Sequence, residues 1–292
     1  MTAWPDPAAA MPDIRSIVVH VDETAFCPAR LRLAGRLADR FGARLTAVCA
    51  APTAIAGPPA PGESSAGWTA LIDTRTREAQ RRAHENFVAF QRDHPHAVWQ
   101  AFGAQAVRAA GGTAAILGRL ARGADLVVVG QSGRGEERSD TPGTLPQDLV
   151  TMAGRPVLVV PHILAFPDSG RRVVVAWNDS REAARAMADA LPFLRSADRV
   201  CVMAVGRADK LGVSALDMPL GYLGLHGITA DGEILQAAPG GEAGALLEHA
   251  ALIEADMLVM GGYGHGRLRE LLLGGMTREM LTRLPLPVLM SH

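Results

Sequence analysis

Lysine is almost missing from this chain: Lys210 is the single one in 292 residues, so nearly all basic charge is arginine. A phosphate loop ending in Gly-Lys-Ser/Thr is therefore excluded wherever Lys210 does not stand. Aromatic residues make up only 4%, too few for the stacking platforms that hold single-stranded nucleic acid. Three cysteines, Cys27, Cys49 and Cys201, lie far apart with no C-x-x-C. They fit neither a disulfide framework nor a zinc ribbon, and read as small buried apolar residues. The formal net charge of -1 gives no electrostatic case for a nucleic-acid or membrane-surface partner. No uncharged stretch spans a bilayer without Pro or Gly, "AVCAAPTAIAGPPAPG" (47–62) included. "MTAWPDPAAAMP" at the start lacks the basic and apolar regions of a signal peptide, so a cytoplasmic location is expected.

Apolar residues, by contrast, reach 48%, enough for a sizeable core of Ala, Val and Leu. They are arranged as a repeat. A shift of 131 residues carries "ADLVVVGQSGRG" (124–135) onto "ADMLVMGGYGHG" (255–266) and, without a gap, "RPVLVV" (155–160) onto "LPVLMS" (286–291). Earlier in each copy, "SIVVHVDET" (16–24) resembles "RVVVAWNDS" (172–180), each a β-branched run ending in a helix-capping signature. Helical spacing follows in Leu31, Ala34, Ala38 and Phe41, and in Ala183, Met187, Ala190, Leu191 and Leu194. The first copy is about 25 residues longer in its middle, mostly through the Pro/Gly/Ser-rich "APTAIAGPPAPGESSAG" (51–67), which reads as a mobile loop.

The spacing predicts strands at 15–21, 44–50, 97–102, 125–130 and 156–160, with helices at 24–41, 69–93, 106–122 and 143–153. In the second copy it predicts strands at 171–177, 199–205, 229–235, 256–261 and 287–291, with helices at 180–195, 214–226, 242–254 and 275–284. Strict alternation with uniformly apolar strands implies an α/β protein: two tandem, doubly wound, parallel five-stranded units, Rossmann-like in type. The domains expected are 1–165 and 166–292, joined by the linker 161–170. Ligands of such sheets bind beyond the carboxyl ends of the strands, at the switch point.

At that end each copy carries glycines: Gly130-x2-Gly133-x9-Gly143-Thr144 in the first and Gly261-x2-Gly264-x9-Gly274-Gly275 in the second. Residues without Cβ let backbone N–H groups close on a phosphate, and the next helix N-terminus adds its dipole. A dinucleotide fingerprint belongs to the first strand of a Rossmann fold, not the fourth. The plain alternative is a pair of tight turns with helix-packing glycines.

Twin α/β units, an Asp closing the first strand and Gly-x2-Gly-x9-Gly-[Ser/Thr] after the fourth resemble a tandem universal stress protein, over nearly the whole chain from about residue 15. The resemblance implies the adenine-nucleotide α-hydrolase-like fold, with the loop cradling the phosphates of ATP and the strand-end Asp near base and ribose. ATP, with or without Mg, is then the expected cofactor, and an adenine nucleotide the expected partner. It also implies pairing of the two domains through their last strands, with a homodimer as a further arrangement. Some members of the family keep the fold without binding nucleotide.

Carried over position by position, the first unit supplies Asp22, Gly130, Gly133, Gly143 and Thr144, yet its loop holds Glu136, Glu137 and Asp140, which would repel a triphosphate, and Pro142, which removes a donor. The second supplies Gly261, Gly264, Gly266 and Gly274, with Asn178 in place of the Asp and Gly275 in place of the hydroxyl residue. Thr277 offers a hydroxyl two positions on, and His265, Arg267 and Arg269 suit an anion; the arginines could equally pair with Glu270 or the other unit. On charge, the second unit is the expected phosphate site. No general base is evident, so at most a slow ATPase is expected, acting as a regulatory binding protein. A scaffold without nucleotide and a nucleotide-using enzyme with Asp22 or Asp179 on a metal are the rivals. His94 and His96 lack a third ligand and read as a helix-end loop, and Asp125 and Asp256 read as helix-to-strand turn residues.

Overall fold

A computed structural model of the chain describes residues 14–50, 65–131, 144–162, 169–206, 215–236, 241–262, 280–281 and 284–292. Two compact units divide it, one spanning Arg15–Phe166 and the other beginning at Pro167.

In the first unit, β1 (Ser16–His20), β2 (Arg44–Ala50), β3 (Val98–Phe102), β4 (Leu126–Gly130) and β5 (Val157–Val160) form a parallel sheet in the order β3-β2-β1-β4-β5. Its β1, β4 and β5 are Val/Ile/Leu runs buried almost throughout, as parallel strands covered on both faces must be. α1 (Cys27–Phe41) packs beside α2 (Ser65–Gln91), and α4 (Thr113–Ala121) beside α5 (Leu145–Met152). Residues 51–64 of the expected 51–67 loop lie outside the described residues; Ser65 already opens α2.

The single helix expected over 106–122 is two: α3 (Ala104–Ala110) and α4, broken where Gly111 and Gly112 take φ of 92° and 116°. Those left-handed values end a helix, and glycine reaches them without a Cβ penalty. α1 starts at Cys27 rather than 24, because the preceding turn is closed by Asp22 rather than by a helix cap.

The second unit repeats the plan. β6 (Arg172–Ala176), β7 (Arg199–Val205), β8 (Asp231–Leu235), β9 (Met257–Gly261) and β10 (Val288–Ser291) lie parallel in the order β8-β7-β6-β9-β10. The expected helix 180–195 is again two, α6 (Arg181–Asp189) and α7 (Leu191–Arg195), with Pro192 restarting the second. Helices Asp217–Leu225 and Gly241–Leu252 follow; of the helix expected over 275–284, only Met280 and Leu281 are described in helical form. No helix among the described residues is long and apolar enough to cross a membrane.

Strand order 3-2-1-4-5 reverses between the first and fourth strands, so each unit opens a crevice at their carboxyl ends. Asp22 and Gly130 flank it in the first unit, and Asn178 and Gly261 in the second. At the opposite end Asp125 accepts from Arg15 N and Ser16 N, and Asp256 from Gly170 N, Arg171 N and Arg172 N. Both are the turn residues expected, remote from the crevices.

Candidate functional site

The two crevices start from the same local turn. In the first unit Asp22 Oδ1 accepts from Thr24 N (3.2 Å) and Thr24 Oγ1 (2.6 Å). In the second, Asn178 Oδ1 accepts from Ser180 N (3.3 Å) and Ser180 Oγ (2.7 Å). Asp and Asn side chains favour this closure because it satisfies a backbone donor two residues on. The repeat therefore survives at atomic detail, and the divergence lies in what surrounds the turn.

Asp22 is buried, and its Oδ2 lies 2.9 Å from Nη2 of Arg30, itself only 2% exposed. That approach is a charge contact rather than an aligned hydrogen bond, since Nη2 finds no acceptor in line. Arg30 Nε, however, donates to the carbonyl of His20 at 2.8 Å, which pins the guanidinium over the end of β1. His20 Nδ1 lies 3.7 Å from Asp22 Oδ2, and Asn86 Nδ2 of α2 donates to the Asp22 carbonyl at 3.1 Å. Burial pushes the Asp22 carboxyl up, but Arg30, His20 and the Thr24 hydroxyl and amide together outweigh it and hold it below the carboxylate range. Burial lowers His20 to about 4, so it is neutral at pH 7. Burial raises the Cys27 and Cys49 thiols to about 12, which leaves neither as a nucleophile.

Gly130 closes this cluster from the β4 side. A Cβ there would stand 2.2 Å from Arg30 Nη1, so the guanidinium lies where a side chain of β4 would otherwise point. Next along, Gln131 Oε1 accepts from His162 N (3.1 Å), and the His162 ring stacks on Phe26 with centroids 4.4 Å apart. Thr144, the expected phosphate hydroxyl, precedes α5 and donates from Oγ1 to Asp148 Oδ2 at 2.9 Å. A carboxylate in the first turn of α5 favours the helix dipole and disfavours an anionic ligand. Among the described residues, the first unit thus commits Asp22 to Arg30 and Thr144 to Asp148 within the protein.

In the second unit Asn178 is exposed, and its amide nitrogen has no protein acceptor among the described residues. Ser180 caps α6, accepting from Ala183 N at 3.1 Å as the sequence predicts; Asp179 beside it has φ 58°. Eight residues beyond the turn, where the first unit has Arg30, the second has the buried Ala186. α6 packs directly on Gly261: a Cβ there would lie 2.6 Å from Ala183 N and from the Glu182 carbonyl carbon, and 2.8 Å from the Glu182 Cβ. Buried Glu182 pairs with Arg181. The exposed Asn178 amide is a donor of the kind a ribose hydroxyl or base edge accepts, with Asp179 in the same turn and the Glu182–Arg181 pair next along the chain.

Both leading glycines are thus close-packed against their own unit's first helix, which is the packing role open to them from sequence. Gly133, Gly143, Gly264, Gly266, Gly274, Gly275, Thr277, His265 and Arg267 lie outside the described residues. Sequence reasoning missed Arg30. Its signal was there: Arg30 falls three residues after Cys27 and four before Ala34, inside the apolar stripe of α1. His94, one of the two candidate metal-ligating histidines, stacks on Phe90 and approaches Asp39 at 3.5 Å. No group of three or more metal-ligating side chains occurs among the described residues.

A family model described as the universal stress protein family matches residues 13–161 and again 170–292. No curated protein matches. Among solved structures, a universal stress protein from Archaeoglobus fulgidus superposes with a TM-score of 0.66 at 16% identity, covering 94% of this chain and 97% of that one. A universal stress protein from Pseudomonas aeruginosa UCBPP-PA14, described as putative, gives 0.55 at 17% identity, covering 95% and 93%. A protein of unknown function from Pseudomonas aeruginosa PAO1 gives 0.55 at 16%, covering 95% and 92%. At these identities the structures speak for the fold alone.

Proposed function

Because the chain belongs to the universal stress protein family, with two tandem copies of its α/β unit, we propose that it is a cytoplasmic regulatory protein that binds ATP or a related adenine nucleotide in its second unit. The observation that carries this is the exposed Asn178, whose amide nitrogen is uncommitted at the switch point between β6 and β9. There it is placed to hydrogen-bond a ribose hydroxyl or base edge. The glycines of the loop after β9, Gly264, Gly266, Gly274 and Gly275, would supply backbone donors to the phosphates. His265 and Arg267 would offset their charge, and Thr277 would add a hydroxyl. In this reading the ligand is held rather than turned over, and signalling follows from the bound state.

A scaffold role without nucleotide is the second reading, favoured by one observation: Gly130 and Gly261 have a packing reason to be glycine with no ligand present. Mass spectrometry of the denatured, freshly purified chain separates the two. Co-purified adenine nucleotide, or saturable binding on adding it back, supports the proposal; no binding at millimolar nucleotide overturns it in favour of the scaffold.

A further inference from the structure

The second helix of the first unit is longer than the strand it runs against. α2 has 27 residues and lies antiparallel to β3: Gln91 Nε2 donates to the Ala97 carbonyl at one end (3.3 Å), and Gln80 Nε2 to the Phe102 carbonyl at the other (3.0 Å). Phe102 is the last residue of β3, so the turns of α2 before Gln80 stand beyond the carboxyl end of that strand. Between them and α3 lies an open cleft of about 470 Å³. Asp73, Thr76, Arg77 and Gln80, spaced to share one face of α2, line one side, and Gln105 and Arg108 of α3 line the other. At its edge stands Gly103, where a Cβ would meet nothing within 4 Å. Its φ of −71° suits any residue, so the backbone does not require glycine there.

The cleft's charge is unspent within the protein. Glu78 and Glu85 of α2 pair with Arg81 and Arg82. Arg77 Nε donates to the Asp73 carbonyl (3.3 Å) rather than to its carboxylate, and among the described residues neither Arg77 nor Arg108 has an acidic partner. We propose that this cleft binds a small phosphorylated polyol of the sugar-phosphate class. Two guanidiniums match a phosphate dianion, while Asp73, Thr76 and the two carboxamides suit hydroxyl groups. The volume falls in the range of small-molecule sites and far exceeds inorganic phosphate alone. No aromatic side chain lines it, so a nucleobase finds no stacking surface, and Asp73 disfavours a polyphosphate. The cleft shares no residue with either crevice and does not rest on the nucleotide reading of the second unit.

The test is calorimetric titration of the full chain with ribose 5-phosphate, glucose 6-phosphate and glycerol 3-phosphate, beside ribose and inorganic phosphate. At least one sugar or polyol phosphate should bind saturably at millimolar concentration or below, more tightly than ribose or phosphate alone. Arg77→Gln and Arg108→Gln, both at exposed positions, should each weaken it about tenfold or more. Gly103→Leu should fill the cleft and abolish binding, whereas Gly274→Val, in the loop after β9, should leave it unchanged. Circular dichroism confirms that each variant is folded. No saturable binding of any of the three esters overturns the proposal, as does binding that survives in both arginine variants or is lost in Gly274→Val. Inorganic phosphate binding as tightly as the esters would show an anion patch with no polyol site, and overturns it too.

Discussion

At the residue scale the first unit is governed by a buried triad of His20, Asp22 and Arg30, and its pH behaviour follows from it. His20 has a folded pKa of about 4 against an ordinary 6.5, so the unfolded chain takes up the proton first as pH falls. Its contribution to stability is whole above 6.5 and is lost on the way down to about 4. Urea denaturation of the wild type should show a loss of about 2 kcal/mol between pH 7.5 and 5 from this one group. His20→Asn should flatten that slope; an unchanged slope would show that His20 is not held neutral. Asp22 acts in a lower window: its depressed carboxyl stabilises above the ordinary carboxylate value and fails only as pH drops below it. Removing one partner is a separate matter. Arg30→Ala is expected to cost about 3–5 kcal/mol at pH 7 by leaving the Asp22 carboxylate buried alone, and adding Asp22→Asn should recover much of that. Arg30 was legible in the sequence only as an exception, a cation inside an apolar stripe. Helical periodicity treats such a residue as noise, because it counts apolar positions and not the partner that makes a polar one tolerable.

At the element scale the glycine that ends each fourth strand sets how near the first helix of that unit can come. Gly130→Ala would place a methyl against a side-chain tip, which can swing aside at the expense of its ion pair. Gly261→Ala would place one against the α6 backbone, which cannot. Overpacking of this kind costs about 1–3 kcal/mol, and Gly261→Ala should lie at or above the top of that range, with Gly130→Ala below it. In the Asp22→Asn/Arg30→Ala background the cost of Gly130→Ala should largely vanish, a coupling that a double-mutant cycle in urea would read directly. Ser180→Ala should cost about 1 kcal/mol through loss of the α6 cap, with no counterpart in α1, where Phe26 occupies the cap position without a side-chain bond. Strands and most helices were legible because burial on both faces forces apolar runs. The breaks at Gly111-Gly112 and before Pro192 were not, because the apolar pattern continues across them and only the backbone demands the interruption.

At the scale of the whole molecule, duplication of one α/β unit is written in the chain as a gapless repeat over the last strands and their loops, and the two units share one strand order. The duplication also freed one copy. The first unit keeps Asp22, Gly130 and Thr144 but commits each within the protein, Asp22 to Arg30, Gly130 to the space Arg30 needs, Thr144 to Asp148. The second departs at Asn178 and Gly275 and closes the same turn through Ser180. Letters alone ranked the copies one way and charge the other. The most direct measurement is calorimetric titration of ATP into the full chain and into Gly143→Val and Gly274→Val separately. Saturable binding of one equivalent, retained in Gly143→Val and weakened at least about tenfold in Gly274→Val, is the predicted result, a loss of about 1.4 kcal/mol or more. Binding lost in Gly143→Val and kept in Gly274→Val would contradict it.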